Sequence, residues 1–181
     1  MNPNQFTIKL QEALQSAQEL AAERYHSEFS SLHLLAALLA QPDGLTRPVL
    51  NHLDVPVETL ASEVDQALSR QASVEGSPGQ QIYLSNDLRN VIATAESRRK
   101  EMGDDYTSVE HALLALASEG STAVKDLLRS HQLSEKTLRE AIDTVRGSQK
   151  VTDQDPEGKY QALEKYCTDL TAIAREGKID P

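Results

Sequence analysis

An internal repeat constrains this chain more than any other feature. Shifting the sequence by 78 residues lays it on itself without a gap. Leu10 falls on Leu88, Ala17 on Ala95, Ser30 on Ser108, His33 on His111, Leu35 on Leu113, Leu50 on Leu128, Thr59 on Thr137 and Asp65 on Asp143. Two leucine-rich helices align by accident because both obey one period, but a gapless register that also carries His, Thr and Asp is much harder to reach that way. The chain therefore reads as two copies of one unit, about residues 7–70 and 85–147.

Each copy reads as four helices. The first runs from Thr7 to about Arg24, with Leu10, Ala13, Leu14, Ala17 and Ala21 on one face; its counterpart starts at Ser85 and carries Leu88, Val91, Ile92 and Ala95. Thr7 and Ser85 are placed to cap these helices with their hydroxyls. The second helix, LHLLAALLA in one copy and VEHALLALA in the other, is apolar nearly all round and belongs at the centre. Thr107 and Glu110 stand at the spacing of a capping box before it, which predicts a loss of about 1 kcal/mol for Thr107→Ala. Third helices follow Gly44 and Gly120, and fourth helices begin near Pro56 and Ser134. No segment alternates well enough to predict a strand. One four-helix copy buries little apolar surface alone, so the expected fold class is all-α: two four-helix copies packed into one eight-helix pseudo-symmetric domain over 1–147.

Between the copies, QASVEGSPGQQIYL (71–84) holds a Gly-Ser-Pro-Gly loop. After the second copy, the polar stretch 148–156 predicts a mobile connector. A last amphipathic helix is expected from Pro156 into 157–181, with Leu163, Tyr166, Cys167, Leu170, Ile173 and Ala174 along one face. It ends in Gly177 and Asp180-Pro181, as though leading into a further domain.

Lys and Arg number 18 against 28 Asp and Glu, a formal charge of −10. An acidic surface without a basic run disfavours nucleic-acid binding. The single cysteine allows no internal disulfide and suits a reducing compartment. The N-terminus has no continuous apolar segment, so neither a signal peptide nor a membrane span is expected. A soluble, cytoplasmic protein is the resulting expectation.

Little in the sequence could carry catalysis. His26, His33, His52, His111 and His131 form no HExxH motif and no cysteine–histidine cluster, so no metal site is expected. His33 and His111 occupy matching first turns and read as architectural. Neither Gly158-Lys159 nor Gly177-Lys178 is followed by Ser or Thr, so there is no phosphate loop and no nucleotide cofactor is expected. Cys167 lies on an apolar helix face and reads as a small buried hydrophobe. Asp104, Asp105 and Glu110 surround a helix start and read as favouring its dipole. No enzyme active site is expected.

QFTIKLQEALQSAQELA, the helices SSLHLLAALL and SVEHALLAL, and the duplication resemble the N-terminal domain of Clp/Hsp100 unfoldases. The tail YQALEKYCTDLTAIAREGKIDP, with K-Y-x-x-D-L-T at Lys165 to Thr171, resembles the segment that leads into the first AAA+ module of the ClpB branch. The resemblance implies that 157–181 begins an ATPase module, and that the full-length protein is a homo-hexameric AAA+ chaperone using ATP and Mg. It further implies that unfolded or aggregated proteins are its substrates and that a DnaK-type chaperone assists it. The fragment itself is expected to be a monomer that binds substrate, and the resemblance places substrate-binding residues at Thr7, Asp104 and Glu110, with Ser85 added by repeat symmetry. His111 departs from relatives that carry an aliphatic residue there, which leaves the groove lining open. Two other roles stay open: docking of adaptor proteins, as in the ClpA/ClpC branch, and a structural gate over a ring entrance.

Overall fold

A computed structural model of the chain describes residues 3–74, 82–147 and 149–156. Eight α-helices are formed among them: α1 (Ile8–Glu23), α2 (Ser31–Ala40), α3 (Thr46–His52), α4 (Val57–Ser69), α5 (Asn86–Met102), α6 (Val109–Glu119), α7 (Thr122–Ser130) and α8 (Glu135–Arg146). The eight-helix reading is borne out. The helix expected in 157–181, Cys167 and the loop at 75–81 lie outside the described residues.

The repeat register is visible at the level of single residues. Three of the four helix pairs, α1/α5, α2/α6 and α4/α8, start 78 residues apart. The left-handed backbone positions repeat too: Tyr25 (φ 55°) answers Gly103 (φ 69°), and Asp54 (φ 53°) answers Gln132 (φ 59°). Glycine takes such a conformation without cost, whereas Tyr25 takes it against the clash of its own Cβ. Thr7 and Ser85 cap as expected, each accepting at 3.3 Å from the amide three residues on, Leu10 and Leu88. Ser134 also caps its helix, through the Thr137 amide.

Helices α2 and α6 form the centre. Leu34, Leu35, Leu38, Leu113, Leu114 and Leu116 are fully buried there, and Leu35 and Leu113 hold equivalent places. Each such leucine contributes roughly 2 kcal/mol of apolar burial. The halves meet through α2 on α6, α3 on α8 and α4 on α7. Since α3 corresponds to α7 and α4 to α8, the last two contacts are one interface met twice, as a pseudo-two-fold axis requires.

The structure corrects the expectation of no strands. Two two-residue strands, β1 (Glu28–Phe29) and β2 (Tyr83–Leu84), pair in parallel. A matching parallel bridge joins Phe6 to Thr107. The residues ahead of each copy's first helix thus pair with those ahead of the other copy's second helix. Two residues are too few to show an alternating pattern, which hides these strands from sequence reading. None of the described helices is long and apolar enough to cross a membrane.

Candidate functional site

Each half contains one polar corner, between its first and second helices, and the two corners are chemical variants of one design. In the first half, the Ser30 amide donates to Nδ1 of His33 at 3.1 Å. An amide can only donate, so Nδ1 carries no proton and Nε2–H is the donor toward Nδ1 of His26, at 2.8 Å. The two rings stand edge to face, 5.1 Å apart. Burial pushes His33 down to about 4, with help from His26 and Arg24 and against the pull of Asp87. His26 is lowered as well, first by burial and then by Arg24. Beside them the Asp87 carboxylate accepts from the Ser31 amide (3.0 Å) and the Ser31 hydroxyl. Burial alone would raise Asp87, but hydrogen bonds from Ser31 and Ser85 hold it below the ordinary value. An open pocket of about 310 Å³ is lined here by His26, Ser30, Gln71, Ser85, Asp87 and Ser121 among others.

In the second half the Ser108 amide donates to Nδ1 of His111 (2.9 Å), and Nε2–H of His111 donates to Oδ2 of Asp104 (3.0 Å). The shift of 78 puts His111 on His33 and Asp104 on His26. A carboxylate has replaced a neutral ring, and a counterion accompanies it. Arg146 grips both Asp104 oxygens, Nη1 on Oδ2 at 2.7 Å and Nη2 on Oδ1. The Asp104 side chain is 0% exposed and that of Arg146 5%. Burial would raise the Asp104 carboxyl, but the bonds from His111, Arg146 and the Val151 amide, with the Arg146 charge, hold it well below the carboxylate range. Glu110 lies next to this pair, 3.7 Å from Arg146 Nη1, and both its carboxylate oxygens are buried without a hydrogen bond.

The connector closes this corner. Val151 is fully buried; its amide donates to Asp104 Oδ1 (3.0 Å) and its carbonyl accepts from the Asp105 amide (2.9 Å). Gln154 follows with its carbonyl on the Ile8 amide (2.8 Å) and its side-chain amide on the Asn4 carbonyl (3.1 Å). The stretch 149–155 is thus hydrogen-bonded to the domain through Val151 and Gln154.

Of the four expected site residues, the structure brings together Thr7, Asp104 and Glu110. The Thr7 amide donates to the Thr107 carbonyl (2.9 Å), and the Thr107 amide donates to Gln5 (2.8 Å). Ser85 stands apart in the equivalent corner, its amide on Phe29. All four are buried rather than set on a rim. Two local readings change. Asp104 holds an ion pair and does not serve a helix dipole. The cap of α6 is Ser108, paired with His111 in a capping box, while the Thr107 hydroxyl has no hydrogen-bond partner. The backbone of Thr107 is taken by the Phe6 bridge, so Thr107 cannot start the helix. Sequence reasoning missed a group of exposed apolar residues in the first half. Tyr25 is 60% exposed, and Val74 and Tyr83 are also exposed. The Val74 amide bonds the Tyr25 carbonyl, and the Tyr83 amide bonds that of Ser27, so the three share one edge. Their signal was available: only 4% of the chain is aromatic, and Tyr25 stands between Arg24 and His26, off the apolar face of the preceding helix.

Comparison with known proteins agrees with the architecture. The signature of the Clp repeat (R) N-terminal domain matches residues 5–131. Chaperone protein ClpB 1 of Thermosynechococcus vestitus is 44% identical over 180 residues, 99% of this chain and 20% of that protein. ClpB of Bacillus cereus is 40% identical over 183 residues, 100% of this chain and 21% of that protein. The chain thus spans about a fifth of the length of the curated relatives it matches. Among solved structures, the Hsp104 N-terminal domain of Candida albicans superposes with a TM-score of 0.73 at 24% identity, covering 83% of this chain and 97% of that one. A ClpV N-domain in complex with a VipB peptide gives 0.60 at 22%, covering 77% and 85%. These two likenesses concern the fold alone. The resemblance read from the sequence is borne out, and the chain belongs to the Clp repeat (R) N-terminal domain family, with ClpB chaperones as its relatives.

Proposed function

We propose that this chain is the substrate-binding N-terminal domain of an ATP-dependent disaggregase or unfoldase, engaging unfolded or aggregated polypeptides. The observation that carries the reading is kinship along 99% of the chain with proteins named ClpB chaperones. The surface chemistry supports it. Tyr25, Val74 and Tyr83 offer exposed apolar area on one edge, and the chain's net charge of −10 suits non-native segments that carry Lys or Arg. Thr7, Ser85, Asp104 and Glu110 belong to this proposal as corner residues, reached by substrate only after the side chains over them move. Weak affinity at one domain is enough if several copies act together, as in the homo-hexamer proposed for the full-length protein. ATP and Mg belong to the rest of that protein, because this chain has no GxxxxGK[ST] run to hold a triphosphate. A DnaK-type partner and a cytoplasmic setting are part of the same proposal.

Titrating a labelled, permanently unfolded protein into the chain tests the reading. Saturable binding between the micromolar and millimolar range is expected, weakened by Tyr83→Ser, with hardly any binding of the same protein when native. Equal binding of native and unfolded forms, or none of either, overturns it. The second reading, docking of one specific adaptor protein, draws on the ClpV N-domain solved with a VipB peptide. Tight binding of a single folded partner would favour that reading.

A further inference from the structure

Val151 is held as a bound peptide residue would be. Its side chain is buried, its amide donates to a carboxylate and its carbonyl accepts from a main-chain amide, yet it belongs to a polar stretch with no other apolar residue from 148 to 155. The occupied corner has unused capacity. Both oxygens of Glu110 and the Thr107 hydroxyl are buried and make no hydrogen bond, Glu110 being held by the Arg146 charge at 3.7 Å, so the connector satisfies only part of what the site can bind.

The equivalent corner is built differently: Gln71 and Ala72 line it, and no valine is buried in it among the described residues. The residue in register with Val151 is Ser73, which is exposed, and the corner there is the open pocket of about 310 Å³. Among the described residues, the first half thus forms its corner with no buried side chain in the place that Val151 takes in the second.

We propose that residues 149–155 are a tethered stand-in for substrate. They occupy a site over Asp104 and Glu110 that takes an extended polypeptide segment with a branched aliphatic residue, whose own amide meets Asp104 and whose carbonyl meets Asp105. This rests on the substrate-binding reading above and deepens it: an incoming segment replaces the connector, and Glu110 gives it an acceptor that the connector leaves unused. The connector is also the joint to whatever follows residue 156, so filling the site with substrate releases that joint. An internal occupant lowers apparent affinity in proportion to the fraction of molecules that it closes.

The test uses the whole chain and a reduced, alkylated, labelled protein as the unfolded probe. Val151→Asp places a carboxylate against Asp104 and expels the connector, and about five- to tenfold tighter binding is expected from the removed competition. Hydrogen exchange on the unaltered chain gives a second readout that needs no variant. Adding the probe is expected to speed exchange at the Val151 and Ile8 amides, which the docked connector engages. If the probe binds while both amides keep their protection and Val151→Asp binds no more tightly, the inference is overturned and the substrate reading stands. If neither chain binds the probe, the substrate reading itself fails and the inference with it.

Discussion

Removing the Asp104 carboxylate should be the most damaging single change in the second half. Asp104→Ala strips the acceptor from the two forked nitrogens of Arg146, from Nε2–H of His111 and from the Val151 amide. Arg146 is 5% exposed, so its charge cannot turn to water. Glu110, at 3.7 Å, is near enough to take part of the load. Leaving a buried charge uncompensated costs about 3–5 kcal/mol. A domain stability of about 5–15 kcal/mol makes this a large fraction of the whole. With a urea slope of about 2 kcal/mol/M, the denaturation midpoint should fall by about 1.5–2.5 M. Circular dichroism through a urea titration reads this directly. Asp104→Leu combined with Arg146→Met removes both charges together and should recover part of the loss, the rest remaining because Glu110 loses the Arg146 charge and the His111 and Val151 donors lose their acceptor. A fall of less than about 0.5 M for Asp104→Ala would refute the reasoning, as would a double variant no better than the single one.

Ser108→Ala should cost about 1 kcal/mol as the cap of α6, while Thr107→Val should be neutral or slightly stabilising because the hydroxyl it removes has no partner; paired urea midpoints decide. Acid should weaken the fold early: His33 is held at about 4 against an unfolded value of about 6.5, so on acidification the unfolded chain takes its proton first and stability falls between those values, by about 2 kcal/mol at pH 5. Asp104, held low, contributes fully above the unfolded carboxylate value of about 3.9 and loses that contribution only below it, so thermal melts from pH 7 to 5 report His33 together with His26, which burial lowers too, and a flat profile there would contradict the assignment. Finally, His26→Asp should cost several kcal/mol by burying a carboxylate whose neighbouring cation, Arg24, is already paired with Asp65, and Leu68→Arg in the same chain should return part of it, as read by the change in melting temperature.

What could be read from the sequence was local or repeated. Each copy supplies its own helical period and its own caps at Thr7, Ser85 and Ser134, and the register of 78 residues ties them together before any contact is known. What could not be read depends on partners far away in the chain. Thr107 and Glu110 have the letters of a capping box, but Phe6, about a hundred residues earlier, takes the Thr107 backbone and moves the cap to Ser108. Asp104 and Glu110 lie near one helix start in the sequence, but spacing gives a face, not a depth, and in the fold both are buried beside Arg146, with Val151 on Asp104. One valine in a polar connector carries no periodic signal at all. The strands fail for the same reason, since two residues define no alternation.

The two corners show what a duplicated fold must preserve and what it can change. In both, the amide of a serine cap donates to the Nδ1 of a histidine three residues on, and the far side of that ring donates to a residue seven positions earlier. That geometry asks only for an acceptor, and neither a neutral imidazole nor a carboxylate disturbs it. The difference lies in what the acceptor then requires. His26 is neutral above its lowered pKa, and the position in register with Arg146 is Leu68, fully apolar and buried. Asp104 is charged throughout, and without Arg146 its burial would cost several kcal/mol. The pairs His26/Leu68 and Asp104/Arg146 are thus linked sets, and exchanging one member alone breaks a charge balance that exchanging both restores. Only the charged set has an oxygen left over for a main-chain amide, and the connector lies on that half. The asymmetry follows from one substitution: a carboxylate oxygen has lone pairs to spare after meeting Arg146 and His111, whereas the Nδ1 of His26 is used up by a single bond.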